Sequence, residues 1–299
     1  LYNLLSVFIN RSPKGTIMAN HLIFSRNSNN SALSAERIAS LAPAVYSTTK
    51  ADHLTNRYVS LSTSEIIPVL QDYGYQPMQA AQRKSRKAMG GEHAGHMLAF
   101  AKPQWNEDDM IRPEIILYNS HDGSGSVKLF AGAFRFICSN GIVAGDGFQS
   151  RIYHSRALNG FEEMLKSTIN SLPNLMERIE KLRSTSLTYN QGRDMAVAAV
   201  ATRWEDYTGQ ERGTYAVART VQDALSVVRD EDDYQDAWTV FNRIQEAVIR
   251  GKTMIRSITD AVPEGMLRKA RPVNSVKESI RINGELWNIA DKIVEEATA

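Results

Sequence analysis

Three adjacent residues invite a chemical reading: Ser120, His121 and Asp122. A hydroxyl, an imidazole and a carboxylate are the parts of a nucleophilic relay, but a relay needs them to converge. Neighbouring residues of an extended strand point to opposite faces, so these three cannot assemble one by themselves. Asn119 precedes them, and Gly123 and Gly125 follow. Asp-Gly between two apolar runs is hairpin-turn chemistry. Asn119, His121 and Asp122 are therefore expected first as a structural turn, second as a ligand contact, and last as a catalytic centre. In that last version His121 is a general base or a metal ligand.

Other chemistry-bearing residues give weaker signals. His93 and His96 form the only close histidine pair, and in an extended segment residues three apart diverge. Neither a metal nor a cofactor is expected. Cys138, the single cysteine, lies between Ile137 and Ser139 and reads as a buried, inert thiol. One cysteine permits no internal disulfide. There is no Walker-type phosphate loop, and residues 141–147 lack the order of a dinucleotide fingerprint and read as a loop. The run Arg229-Asp-Glu-Asp-Asp233 reads as an acidic cap or loop.

The basic residues carry more. Arg83, Lys84, Arg86 and Lys87 cluster, and Lys102, Arg112, Lys128, Arg135, Arg151 and Arg156 follow. Residues 76–156 thus hold 10 Lys or Arg against 7 Asp or Glu, and three of those acids sit together at 107–109. The excess could gather on one face. Interleaved with Tyr118 and Phe130, such a face suits a phosphate backbone whose bases stack on rings. The competing reading is an ordinary solvated surface over core aromatics. Global charge does not decide: 35 Lys+Arg against 33 Asp+Glu leave a net +2. With 42% hydrophobic residues in 299, the chain has material for a sizeable core. No stretch reaches the roughly 18–20 apolar residues of a membrane span. The apolar N-terminus LYNLLSVFIN is short and lacks a preceding basic region, so neither a signal peptide nor a membrane partner is expected.

The elements that would position these residues can be read from periodicity. Ser34 caps a short helix, and Thr63-Ser64-Glu65 opens another that Gly74 ends. Strands are expected over 58–62, 96–102, 114–118, 127–130 and 152–154. The segment around Cys138 reads as apolar and helical. From Leu158 the period is that of helices, with Pro173 expected to interrupt or start one. Further helices are expected over 195–204, 217–228, 237–249 and 280–297, with a basic linker at 250–277. The fold class is α+β: an antiparallel sheet with packed helices in the N-terminal half and a helical C-terminal half. The expected divisions are a leader over 1–34, a core domain over 35–157 built around a hairpin at 112–147, and a helical region over 158–299.

At Pro113-Glu-Ile-Ile-Leu-Tyr-Asn-Ser-His-Asp-Gly123 the sequence resembles the domain-of-unknown-function family 932, carried by phages, prophages and plasmids. Phe134-Arg135-Phe-Ile-Cys138-Ser-Asn140-Gly141-Ile142-Val143-Ala-Gly145 matches its second pattern, with Ile142 in place of leucine. Arg57-Tyr58-Val-Ser-Leu, Gly74-Tyr-Gln-Pro77, Trp238-Thr-Val-Phe-Asn-Arg-Ile-Gln-Glu246 and Gly251 also look like the family. The resemblance covers roughly residues 35–297. The order of elements is similar, at fold level only, to single-strand annealing proteins of the Rad fifty-two type.

The resemblance implies a protein of a mobile element, acting in the cytoplasm of a bacterial host. The expected partner is nucleic acid, single-stranded DNA above all, with homo-oligomers possible. Arg83, Lys84, Arg86, Lys87, Lys128 and Arg135 would neutralise phosphates, and Tyr118 or Phe130 would stack on bases. The rival readings are a nucleic-acid- or nucleotide-processing enzyme centred on His121 and Asp122, and an accessory protein that binds a host protein.

Overall fold

The computed structural model describes residues 31–83, 91–103, 111–135, 140–143, 149–152, 160–204, 215–256, 267–273 and 276–299. Helix α1 (Ala35–Leu41) starts where expected, and the Ser34 hydroxyl accepts the Arg37 backbone N–H. Helix α2 (Thr63–Asp72) carries Pro68 inside it, and Gly74, at φ +83°, takes the left-handed turn that follows. The strand expected over 58–62 does not form. That stretch is irregular, and the Tyr58 hydroxyl donates instead to the Ser120 carbonyl at 2.8 Å.

Six antiparallel strands make the sheet: β1 (Gln76–Gln82), β2 (His96–Ala101), β3 (Ile111–Asn119), β4 (Val127–Arg135), β5 (Asn140–Val143) and β6 (Gln149–Ile152). Strands β1 to β4 pair in sequence order, and β5 and β6 share the far edge of β4. The residues 140–143, expected in a loop or helix, are thus a strand, in which Asn140 to Val143 pair with Arg135 to Gly132. The thiol of Cys138 lies outside the described residues.

Strand alternation divides the sheet into two faces. One carries Leu98, Phe100, Ile115, Leu117, Val127 and Leu129, all fully buried. Helix α3 (Phe161–Ser184) packs across this sheet on β3, β4 and β6. It runs through Pro173 without a break, because Leu165, Leu172, Leu175, Ile179 and Leu182 form one buried stripe on both sides of the proline. The other face holds a smaller cluster, Ala81, Met97, Ala99, Ile116 and Phe130, with Tyr118 and Ile280 packed against it.

Beyond α3 the chain is helical, as expected: α4 (Tyr189–Arg203), α5 (Tyr215–Leu225), α6 (Ala237–Arg250) and α7 (Val276–Thr298). Thr188 and Gln191 form a capping box on α4, and the Asp236 carboxylate caps α6. Trp287 is wedged against Trp238 and Phe241, with ring centroids 6.1 and 5.0 Å apart. The stretch expected as a linker holds a small antiparallel hairpin, β7 (Met254–Arg256) and β8 (Leu267–Lys269). No helix among the described residues is long and apolar enough to cross a membrane.

Candidate nucleic-acid interface

The hairpin joining β3 to β4 does not project as a bare tip. Residues 47–62 wrap it. Ala51 N–H donates to the His121 carbonyl at 3.1 Å, and His121 N–H donates to the His93 carbonyl at 3.0 Å. The His53 ring reaches the Asp122 carbonyl at 3.2 Å. Gly123, at φ +76°, turns under Leu54, where an added Cβ would sit 2.6 Å from a Leu54 methyl. Asp122 closes the turn by accepting the Ser124 N–H at 2.9 Å, the expected turn chemistry.

Behind the turn lies a directional hydrogen-bond chain. The Ala94 carbonyl, 2.9 Å from His96 Nδ1, can only accept, so that nitrogen carries the proton. His96 Nε2 then accepts from the Thr63 hydroxyl at 2.7 Å. Thr63 accepts from Asn119 Nδ2 at 2.9 Å, and the same amide donates to the Leu61 carbonyl at 2.9 Å. Asn119 Oδ1 takes the Ser120 N–H at 2.8 Å. Thr63, His96, Asn119, Ser120 and His121 have no exposed surface. The His96 and His121 rings lie 5.4 Å apart, so a second histidine does converge on His121. Both nitrogens of His96 are committed, however, and the pair is sealed from solvent. The chain fastens the start of α2 to the end of β3, and Asn119 belongs to it as a strut.

Asp122 faces the other way. Its carboxylate pairs with the Arg83 guanidinium, the side chain of Arg83 being half exposed. Burial raises the Asp122 pKa, but the Ser124 hydroxyl and N–H, Arg83 and Ser120 together outweigh it and hold the carboxyl below its ordinary value. The Tyr118 ring is flanked by backbone: a Cβ added to Gly95 would lie 2.8 Å from its hydroxyl, and one added to Gly125 would lie 2.7 Å from its ring edge. Burial, foremost, raises the Tyr118 pKa.

The basic residues divide. Lys128 stands directly opposite Tyr118 on β3 and opposite Arg151 on β6. Register partners share a face, so Tyr118, Lys128 and Arg151 form a row across three strands. Arg83 lies on the same face two residues beyond Ala81, the β1 position of that row, and so stands beside the row rather than in it. Arg112 is withdrawn: it is buried against Glu114, with Nη2 to Oε1 at 2.6 Å. Phe130 is withdrawn as well, since a ring with no exposed surface offers no face to a base. The backbone of Arg135 ends β4, and its side chain lies outside the described residues, as do Lys84, Arg86 and Lys87. Among the described residues no group of three or more His, Cys, Asp or Glu is placed to hold a metal ion.

Sequence reasoning missed Thr63, His96 and Tyr58 as partners of the hairpin, because nothing local couples residues between about 25 and 60 positions apart. It also missed Arg151 as the partner of Lys128, which alternation on β6 could have suggested.

Fold and site define a mixed α+β protein whose antiparallel sheet carries a basic row at one end and is backed by helices. The chain belongs to the family described as Domain of unknown function (DUF932), whose profile matches residues 51–287. It is similar to UPF0380 protein YfjQ of Escherichia coli (strain K12), 29% identical over 272 residues that cover 88% of this chain and 92% of that one. UPF0380 protein YafZ of the same organism is 29% identical over 270 residues, with the same coverage. No solved structure matches.

Proposed function

We propose that the chain binds a nucleic-acid strand, single-stranded by preference, across the end of the sheet formed by β3, β4 and β6. One observation carries the reading: Lys128 and Arg151 stand directly opposite each other on neighbouring strands, beside Tyr118 and near Arg83. Two cations on one face of neighbouring strands give a phosphate backbone two adjacent points of contact. The mode is backbone contact. Tyr118 is closed in by Gly95 and Gly125 at its hydroxyl and both neighbouring ring edges and packs on the cluster of Met97, Ile116 and Phe130, so the cations carry the contact and little dependence on base identity is expected.

The test is fluorescence anisotropy with labelled single- and double-stranded oligonucleotides across a salt series, with solution mass measured in parallel. For a Lys128→Ala, Arg151→Ala double variant, log K against log salt should flatten by about 1.4, roughly 0.7 per lost phosphate contact on a single strand. The Arg83, Lys84, Arg86 and Lys87 quadruple neutralisation should flatten it further. Wild-type affinity and salt slope in both variants would remove the reading, and a host protein captured at the same surface would replace it.

A further inference from the structure

Helix α6 carries the most family-like stretch of the C-terminal half, from Trp238 to Glu246, and the sheet-end reading gives it no role. Its polar side faces a cleft of about 370 Å³ between α5, α6 and β8, walled by Asp223, Asp232, Arg243, Glu246, Lys252 and Lys269 among others. That size is within the range of small-molecule sites.

The ionic groups of the cleft are unequally matched. Glu246 receives Arg229 Nη2 on both oxygens at 2.9 Å and Lys252 Nζ at 2.6 Å. Asp232 receives Arg229 Nη1 at 2.7 Å. Asp223 receives Arg219 Nε at 2.9 Å and the Met254 N–H at 2.8 Å. Every carboxylate on the wall is therefore engaged. Arg243 is not matched in this way. It is only 8% exposed, and its Nη2 meets a single backbone carbonyl, that of Tyr234, at 3.3 Å. Its Nε is buried and meets no acceptor. Among the described residues no carboxylate lies within ion-pair reach of it. Burial, foremost, lowers its pKa, against the fields of Asp232, Asp233 and Asp236. A buried guanidinium with idle donors on a cleft wall is a costly arrangement that a bound anion completes.

We infer that this cleft is a binding site for a small oxyanion-bearing molecule, phosphate or carboxylate, received by the Arg243 guanidinium. Lys269, exposed on β8, lines the cleft as a second cation. Val228 and Ala247 supply an apolar wall for the body of the ligand. The site shares no residue with the sheet-end row, and neither proposal depends on the other.

The experiment is calorimetric titration of the full chain with inorganic phosphate, adenosine monophosphate and citrate, at ionic strength matched with sodium chloride. Saturable binding of at least one is expected. Phosphate or the nucleotide alone would identify a phosphoryl ligand, and citrate alone a carboxylate. Arg243→Met should weaken that binding at least roughly tenfold, or ~1.4 kcal/mol. Lys269→Glu, an exposed change that leaves the fold intact, should weaken it several-fold. Hydrogen-exchange protection on the wild-type chain should map to 223–232 and 243–252, which decides the matter even if Arg243→Met fails to fold. No saturable binding of any probe overturns the inference. So does undiminished binding in either variant, or protection at Lys128 and Arg151 instead.

Discussion

Glu114 ties a single residue to the stability of the whole chain. Its carboxyl has no exposed surface, both contacts from Arg112 fall on Oε1, at 2.6 and 3.1 Å, and Oε2 finds no partner among the described residues. Burial, opposed by the charge and hydrogen bond of Arg112, pushes its pKa from 4.5 up to about 7. The fold thus holds this proton more tightly than the unfolded chain does. Below pH 4.5 both states are protonated and the contribution is fully present. Between pH 4.5 and about 7 the unfolded chain releases its proton first, and stability falls as pH rises, by about 3 kcal/mol in all. Glu114→Gln should flatten that part of the curve, read by urea unfolding at pH 5 and pH 7.5. An unchanged slope would place its origin elsewhere. Asp122 has the opposite sign: its depressed pKa contributes stability above the ordinary value of 3.8 that is lost as pH falls through the folded value. Asn119 acts through hydrogen bonds rather than charge. Asn119→Ala removes both donors of the buried amide and leaves Leu61 and Thr63 oxygens without them, so a loss of about 2–4 kcal/mol is expected in thermal unfolding.

Elements are fixed where their ends meet other backbone. Helix α6 ends at Gly251, φ +67°, and there the chain passes so close to 270–271 that an added Cβ would lie 2.5 Å from the Ala270 carbonyl oxygen. Arg203 clamps the same junction, donating to the carbonyls of Val248 and Arg271 and lying 4.6 Å from the Trp204 ring. Gly251→Ala should cost at least ~2 kcal/mol, since both the left-handed backbone and the contact resist it. Gly192, inside α4, is the contrast: its added Cβ would meet Val240 at 3.6 Å, an ordinary contact. Gly192→Ala should raise stability by up to about 1 kcal/mol through helix propensity. Denaturation midpoints of the pair check both signs.

Periodicity made most elements legible in the sequence. Helices α3 and α5 to α7 show a 3.6-residue stripe, α4 was legible only in its alanine-rich run from Met195, and the hairpin at 119–126 shows its Asp-Gly turn. Strand β1 escaped notice because alanine and glutamine carry little strand preference, and pairing along β2 decides its state. The stretch 58–62 misled in reverse, since it alternates like a strand but spends its polar groups on a distant hairpin. Pro173 misled because burial along α3 outweighs one lost backbone bond. The candidate sites were half legible. Lys128 and Tyr118 stood out, but the burial of Phe130, the Arg112–Glu114 pair and the idle donors of Arg243 are facts of three dimensions.

At the scale of the molecule one apolar core serves both halves. It runs from Leu98, Phe100 and Leu117 on the sheet through Leu165, Leu175 and Ile179 of α3 to Trp238, Phe241 and Trp287 of the later helices. Arg178 on α3 continues the joint, lying 4.5 Å from the Trp287 ring and pairing with Asp291 of α7. If α3 were removed, the sheet face bearing Leu98, Phe100, Ile115, Leu117, Val127 and Leu129 would lose the helix that packs across it. Burying a large apolar side chain stabilises by about 1.5–3 kcal/mol. Six such residues therefore represent about 9–18 kcal/mol, as much as the whole net stability of an ordinary domain, roughly 5–15 kcal/mol. A fragment ending at residue 157 should accordingly fail to fold, with poor amide dispersion in NMR spectra and no cooperative urea transition. The same fragment extended to Ser184 regains the helix that covers the sheet, but it still lacks the partners of α3 on α6 and α7. It should be intermediate, with a broad transition of reduced midpoint. The full chain should unfold in one step, with tryptophan fluorescence from the helical half and far-ultraviolet circular dichroism giving coincident curves. Two separated transitions, or a cooperative fragment ending at 157, would mean that the sheet half carries its own core and that α3 is an accessory to it.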